Sequence, residues 1–278
     1  MNYFSPYSFK LLPIVVKNIL IINFLLFLGT NVLYNQFEID LTKYLGLYYY
    51  KSINFSLFQI ITHMFMHGNF LHLFSNMFAF WMFGTVLENY MGSKKFLKFF
   101  FFSGLGAVII HMFILWLKFS KIEKDINDFN NSPSPEKFAS IVSKHIPYMF
   151  PQVIPFINSW NNSFSFEKDY YIKEATKVLN EFYERNINIP TVGASGAVFG
   201  ILAAFGFLFP NSYIYLYFFI PIKAKYFVIL YGLFELYSGV INQPGDNIAH
   251  FAHLGGMFFG YIFIKFFLRR KKYVFYDF

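Results

Sequence analysis

The chain has 278 residues, of which 56% are hydrophobic, 24% aromatic and only 14% charged, with a formal net charge of +8. This is too apolar for an ordinary water-soluble fold and indicates a membrane protein. The absence of cysteine excludes disulfides, thiolate ligands and cysteine lipidation, and basic residues that flank apolar runs instead of forming a patch argue against nucleic acid as a partner.

Apolar runs stand near 18–36, 69–90, 96–117, 194–221, 224–241 and 248–268. Each is close to the ~20 residues that cross a bilayer, so six transmembrane helices are expected in an all-α polytopic protein. The first run is too long, and too lacking in a small-x-small cleavage site, for a signal peptide. The fourth exceeds one span, so its end from Pro210 to Pro221 is expected to form a turn and an interfacial segment. Lys10 and Lys17, Lys94, Lys95 and Lys98, Lys223 and Lys225, and Arg269 to Lys272 all fall on one side of this arrangement, against only Lys43 and Lys51 in the short loops opposite. The positive-inside rule then places both termini in the cytoplasm. No seventh span and no targeting extension are expected.

The first span leads to an external loop, 37–68, whose Tyr44, Tyr48, Tyr49 and Tyr50 suit the water–lipid boundary. At the outer mouth of span two come His63, His67, His72 and Asn76, polar groups that are costly in lipid and therefore functional candidates. His72 and Asn76 share a helix face at i, i+4 spacing and can donate to one point. His63 and His67 have the same spacing, but no Glu or acidic ligand accompanies them, and structural hydrogen bonding is favoured over zinc. Glu88, near the inner end of span two, reads as a partner for lysines or helix-end amides. His111 is the one polar residue within span three and reads as packed and hydrogen-bonded.

The segment 118–189 differs in kind, balancing nine basic against nine acidic residues. Pro133 and Pro135 interrupt it, and helical patterns follow near Pro135–His145 and Glu167–Asn186. It is expected to be a helical external insertion, dividing the chain into 1–117 (spans one to three), 118–189 and 190–278 (spans four to six with a basic tail). Asp246, in the turn-like Gln243-Pro244-Gly245-Asp246, reads as a loop or cap residue.

Span four opens with Gly193-Ala194-Ser195-Gly196, and span six with Ala252-His253-Leu254-Gly255-Gly256. Spans two, four and six all run from outside inward, so His72, Asn76, Ser195 and His253 share one layer just below the outer surface. Gly196 and Gly200, like Gly256 and Gly260, are four apart, a pattern that lets membrane helices approach closely. A helix start also supplies unpaired amides and a positive dipole end, which favour a developing oxyanion.

Together the Gly193-Ala194-Ser195-Gly196 stretch, the His72/Asn76 pair and the Ala252-His253-Leu254-Gly255-Gly256 stretch resemble the rhomboid intramembrane serine proteases, in the bacterial six-span form. The resemblance implies a rhomboid-like bundle, Ser195 as nucleophile and His253 as general base, with His250 one turn earlier as a rival base. It implies an oxyanion hole from the Ser195 amide, His72 and Asn76, supported by Gly193, Gly196, Phe199, Gly256 and Gly260, with no metal and no cofactor. Phe199, one turn after Ser195, stands where many rhomboids have tyrosine, and in a dyad lacking an acid it is expected to orient the imidazole by stacking. The Trp-Arg pair of the family's first external loop has no counterpart in 37–58, and an insertion at 118–189 is not a general family feature.

The implied function is peptide hydrolysis in or near the spans of other membrane proteins, with lipid as the surrounding medium and a bacterial plasma membrane as the setting. The oligomeric state is left open. The alternative is an inactive rhomboid-like protein that binds membrane helices; it generally lacks one dyad residue, whereas both are present here. A transporter would explain buried histidines, but there is no inverted repeat and only the lone Glu235 deep in a span.

Overall fold

The computed structural model describes residues 9–216, 219–241 and 248–268, which are mostly helical. In chain order the helices are α1 (Ile14–Phe37), α2 (Leu41–Leu45), α3 (Gln59–Thr62), α4 (Phe70–Met91), α5 (Ser93–Asn131), α6 (Pro135–His145), α7 (Phe150–Asn161), α8 (Lys168–Ile187), α9 (Ser195–Leu208), α10 (Ala224–Ile241) and α11 (His250–Phe267). Four of them, α1, α4, α5 and α10, are long and apolar enough to cross a membrane, and α9 is a shorter apolar helix. Asp246 and the Arg269–Lys272 cluster lie outside the described residues.

The fourth apolar run does not continue as helix beyond Leu208. Pro210 disfavours helical backbone at the preceding Phe209, and the stretch expected to form a turn and an interfacial segment contains two short strands. Strands β1 (Tyr213–Leu216) and β2 (Ile220–Lys223) pair antiparallel with Tyr213 opposite Lys223. Span three was expected to end at Leu117, but α5 runs on to Asn131. Hydropathy falls at Lys118 while helix propensity does not, and the first proline comes only at Pro133.

The described chain forms two compact units, one from Met1–Leu47, Ser56–Met112 and Pro190–Phe278, the other from Tyr48–Phe55 and Phe113–Ile189. In the first, α4 begins where the Asn69 side chain accepts from the His72 amide at 2.8 Å, an N-cap that fixes the register of His72 and Asn76. At the far end of α4, Glu88 accepts from the Val15 and Val16 amides at 3.0 and 2.8 Å. It thereby satisfies orphan donors at the start of α1 and also accepts from the Ser93 hydroxyl at 2.6 Å; among the described residues these groups, not lysines, are its partners. The core between these helices is aromatic, with Phe80, Phe96, Phe99 and Phe100 fully buried together with Val16, Leu87 and Ile201.

Helices α9 and α11 meet backbone to backbone along their glycines. A Cβ added at Gly256 would sit 1.8 Å from the Gly196 carbonyl oxygen, and one at Gly260 would sit 2.7 Å from that of Gly200. No side chain fits there, which is the physical content of the small-x-x-x-small faces. Gly256→Ala is therefore expected to force the helices apart and to lower the thermal unfolding midpoint in detergent. The overpacking cost is at least the ~1–3 kcal/mol usual for added methylenes; an unchanged midpoint would show that the helices do not approach this closely.

In the second unit α6 starts at the Ser134 cap and its Pro135, as the sequence pattern indicates. A further helix, α7, forms where no helical pattern was expected, although it contains Pro151 and Pro155. Pro151 falls in the first turn, where a missing N–H is harmless, and burial of Val153, Ile157 and Trp160 drives the rest. Tyr48 and Tyr49 were expected at a water–lipid boundary, yet both are buried, Tyr49 with its ring centroid 4.8 Å from that of Phe119. Lys51 donates to Glu123 at 2.7 Å. Burial alone would push the Glu123 carboxyl up, but the hydrogen bonds from Lys51 and the Tyr183 hydroxyl outweigh it and hold it below its ordinary value.

Candidate active site

Ser195 is the first residue of α9, and the preceding Ala194 has no side chain to cap the helix. The first amides of α9 consequently have neither intrahelical acceptors nor a side-chain cap. Gly193 makes the turn possible with φ at +127°, a conformation that L side chains rarely adopt. Its amide donates to the His63 carbonyl at 2.9 Å, tying the segment before α9 to the segment before α4.

On α11, His253 presents Nε2 2.9 Å from Ser195 Oγ. Its ring lies flat on Phe199, with centroids 4.1 Å apart and planes 5° from parallel. The stacking expected of Phe199 is thus present, and Phe199 is itself backed by Tyr231 on α10 at 5.0 Å. His250, the rival base, instead directs Nδ1 to a carboxylate 2.7 Å away.

That carboxylate belongs to Glu235 on α10, and it is the residue sequence reasoning missed. Its Oε2 lies 2.8 Å from His253 Nδ1 as well as 2.7 Å from His250 Nδ1. A carboxylate therefore faces the imidazole in addition to the stacked Phe199, where the sequence suggested a dyad without an acid. The signal was a charged residue inside an apolar run, which is expensive in lipid unless partnered. What the sequence lacked was the rotation of α10 that turns this residue toward α11.

His72, on α4, comes to the same place, and Asn76 follows one turn later on the same face of that helix. The His72 Cε1 and Nε2 atoms lie 2.8 Å from the point where a Gly193 Cβ would be, and Ser195 Oγ lies 3.7 Å from that point. Gly193 is glycine for this reason as well as for its φ. Asn76 is buried, and its Nδ2 has no hydrogen-bond partner among the described residues. An unpaired buried amide donor is costly, and here it stands one helical turn from His72, on the helix that packs against α9.

Of the other histidines of this unit, His63 and His111 have structural hydrogen-bond partners. His63 Nδ1 bonds to the Gln59 carbonyl at 2.8 Å, and His111 Nε2 meets Thr191 Oγ1 at 2.8 Å. His67 is buried with no partner at either ring nitrogen among the described residues, 5.1 Å from the His72 ring. Metal-ligand geometry is offered by Glu235, His250 and His253, whose ligand atoms lie within 4.8 Å of one another. Both imidazole Nδ1 atoms there already lie within hydrogen-bond distance of the carboxylate oxygen Oε2.

The sequence matches the family profile described as Rhomboid domain over residues 54–119 and 165–270, more than half of the chain. This chain belongs to the rhomboid family. All of the residues gathered above lie within the matched ranges, whereas 120–164, inside the second unit, lies between them. The chain is 27% identical over 205 residues to an uncharacterized mitochondrial rhomboid protein of Schizosaccharomyces pombe, an alignment covering 73% of this chain and 48% of that protein. It is 25% identical over 202 residues to the mitochondrial RHOMBOID-like protein 12 of Arabidopsis thaliana, covering 72% of this chain and 43% of that one. The chain thus spans about half the length of these relatives or less. Both are mitochondrial by name, so the similarity points away from the bacterial type that the motifs alone suggested.

Proposed function

We propose that this rhomboid-family protein is an intramembrane serine endopeptidase that cleaves membrane-protein substrates in or near their spans. The observation carrying this reading is the 2.9 Å contact between Ser195 Oγ and His253 Nε2 at the uncapped start of a helix. In the reaction, Ser195 Oγ attacks the scissile carbonyl carbon while its proton passes to His253 Nε2. The oxyanion is held by the Ser195 amide, His72 and Asn76, whose unpaired Nδ2 supplies a donor without rearrangement. The imidazolium then gives its proton to the departing amine as the C–N bond breaks. Water, deprotonated by the same imidazole, attacks the acyl-enzyme and releases Ser195.

Helices α9 and α11 join the four long apolar helices as spans in this reading, giving six. Residues 118–189 form an external insertion, and both termini lie on the side rich in Lys and Arg. The membrane is a mitochondrial one, in keeping with the named relatives, and replaces the bacterial plasma membrane of the motif-based expectation. Immunodetection in purified organelles checks this, and a signal confined to another membrane refutes it.

The direct test is labelling of the purified, detergent-solubilised protein by a fluorophosphonate probe, alongside cleavage of a transmembrane reporter. Labelling and cleavage by the wild type support the proposal. A folded wild type that does neither would favour an inactive, helix-binding rhomboid-like protein. For the oxyanion donors, Asn76→Ala and His72→Ala are each expected to lower kcat by about 10²–10³-fold with KM nearly unchanged, since they act only on the transition state. A rise in KM at constant kcat would assign them to substrate binding instead.

A further inference from the structure

The placement of Glu235 is at odds with its helix. Helix α10 exposes Ile229, Leu230, Leu233, Phe234, Tyr237 and Val240, and its only buried residues are Ala224 and Glu235. A carboxylate that is 3% exposed inside an apolar helix is expensive in lipid and persists only with compensating partners. Its partners are two imidazoles, both directed at the single oxygen Oε2.

We infer that Glu235 is the third member of a Ser-His-Glu relay, a positioning residue that sets the tautomer and orientation of His253; this rests on the serine-protease reading above. With the carboxylate facing Nδ1, the His253 proton sits on Nδ1, which donates to Oε2. The Nε2 lone pair is then left to accept from Ser195 Oγ–H at 2.9 Å. Without an acceptor at Nδ1, the two tautomers of a neutral imidazole compete, and the one protonated on Nε2 cannot take the serine proton. His250 donates its own Nδ1–H to the same oxygen and so keeps the carboxylate from rotating away. Phe199 fixes the plane of the imidazole but cannot select its tautomer, so stacking and the carboxylate do different jobs.

The charge balance supports the assignment. As Ser195 attacks, His253 becomes an imidazolium and the carbonyl oxygen an anion. The new cation then lies between Oε2 on one side and the oxyanion on the other. In a site shielded from water both attractions are strengthened. Glu235 stays ionised throughout and exchanges no proton with His253, so the relay is one of position and charge.

The test uses the full chain in detergent, with fluorophosphonate labelling rate, kcat, KM and thermal midpoint measured for Glu235→Gln and Glu235→Asp. Gln is isosteric but neutral, and its NH2 can only donate, so it neither balances the imidazolium charge nor reliably offers Nδ1 an acceptor; E235Q is expected to retain the wild-type KM and midpoint while kcat and labelling fall by about 10²–10⁴-fold. E235D, which keeps the charge on a shorter arm, is expected to be faster than E235Q and so keeps the test decisive should E235Q fold poorly. E235Q at the wild-type rate, or E235D no faster than E235Q, overturns the relay while leaving Ser195 and His253 untouched. A joint fall of midpoint, kcat and labelling in both variants reassigns Glu235 to holding α10 against α11. A folded wild type that neither labels nor cleaves overturns the serine-protease reading and the relay together.

Discussion

Ser195→Ala is expected to abolish fluorophosphonate labelling and to lower kcat for a transmembrane reporter by about 10⁶-fold, the scale on which loss of the nucleophile acts in a soluble serine protease. The substitution removes a single oxygen from a half-buried site, so α9 and its contact with α11 should persist and the thermal midpoint should stay close to wild type. The Ser195 amide, His72 and Asn76 would remain, and with them a residual rate about 10³–10⁴-fold above that in water. That residue of activity should disappear into background in an assay of minutes. Cleavage at the wild-type rate by a Ser195→Ala protein would remove Ser195 from the reaction altogether.

His253→Ala is expected to have an effect of the same order, and the double variant with Ser195→Ala should be no slower than either single one. Groups that act as a unit are grossly non-additive, because each is useless without the other. His250 is the neighbour that would have to take over, but its Nδ1 is committed to Glu235 at 2.7 Å. Phe199 stacks on the ring of His253. Rate losses that multiply in the double variant would mean that Ser195 and His253 contribute independently, and the base would then have to be sought elsewhere.

The contact between Ser195 and His253 joins residues 58 apart in the chain. What made it legible was local: each residue heads an apolar run, and helix length sets depth. Depth alone puts two starts in one layer. The glycines at 196, 200, 256 and 260 add that these two helices approach closely, and the Cβ positions show how little room remains. His63 and His111 were also legible as structural, since a lone imidazole at a helix junction is most simply satisfied by backbone or a nearby hydroxyl, and each is.

Other features escaped the sequence for identifiable reasons. Helix α5 outlasts its apolar stretch because hydropathy reports the solvent and helix propensity reports the backbone; the two part company at Lys118. Helix α7 forms around two prolines because tertiary burial of one face outweighs local propensity. Tyr48 and Tyr49 resemble boundary aromatics in a linear reading, and only the fold of the second unit buries them.

By itself the sequence determined the apolar helices, the order in which they run and the motif residues that head three of them, because these depend on composition and on spacing along one helix. The tertiary structure decided that Glu235 meets His253, that Asn76 has an amide nitrogen without a partner among the described residues, and that His250 is tied to the acid. Each of those facts depends on how one helix is rotated about its axis against another. That rotation is set by the sum of many contacts between helices, and no single stretch of sequence contains it.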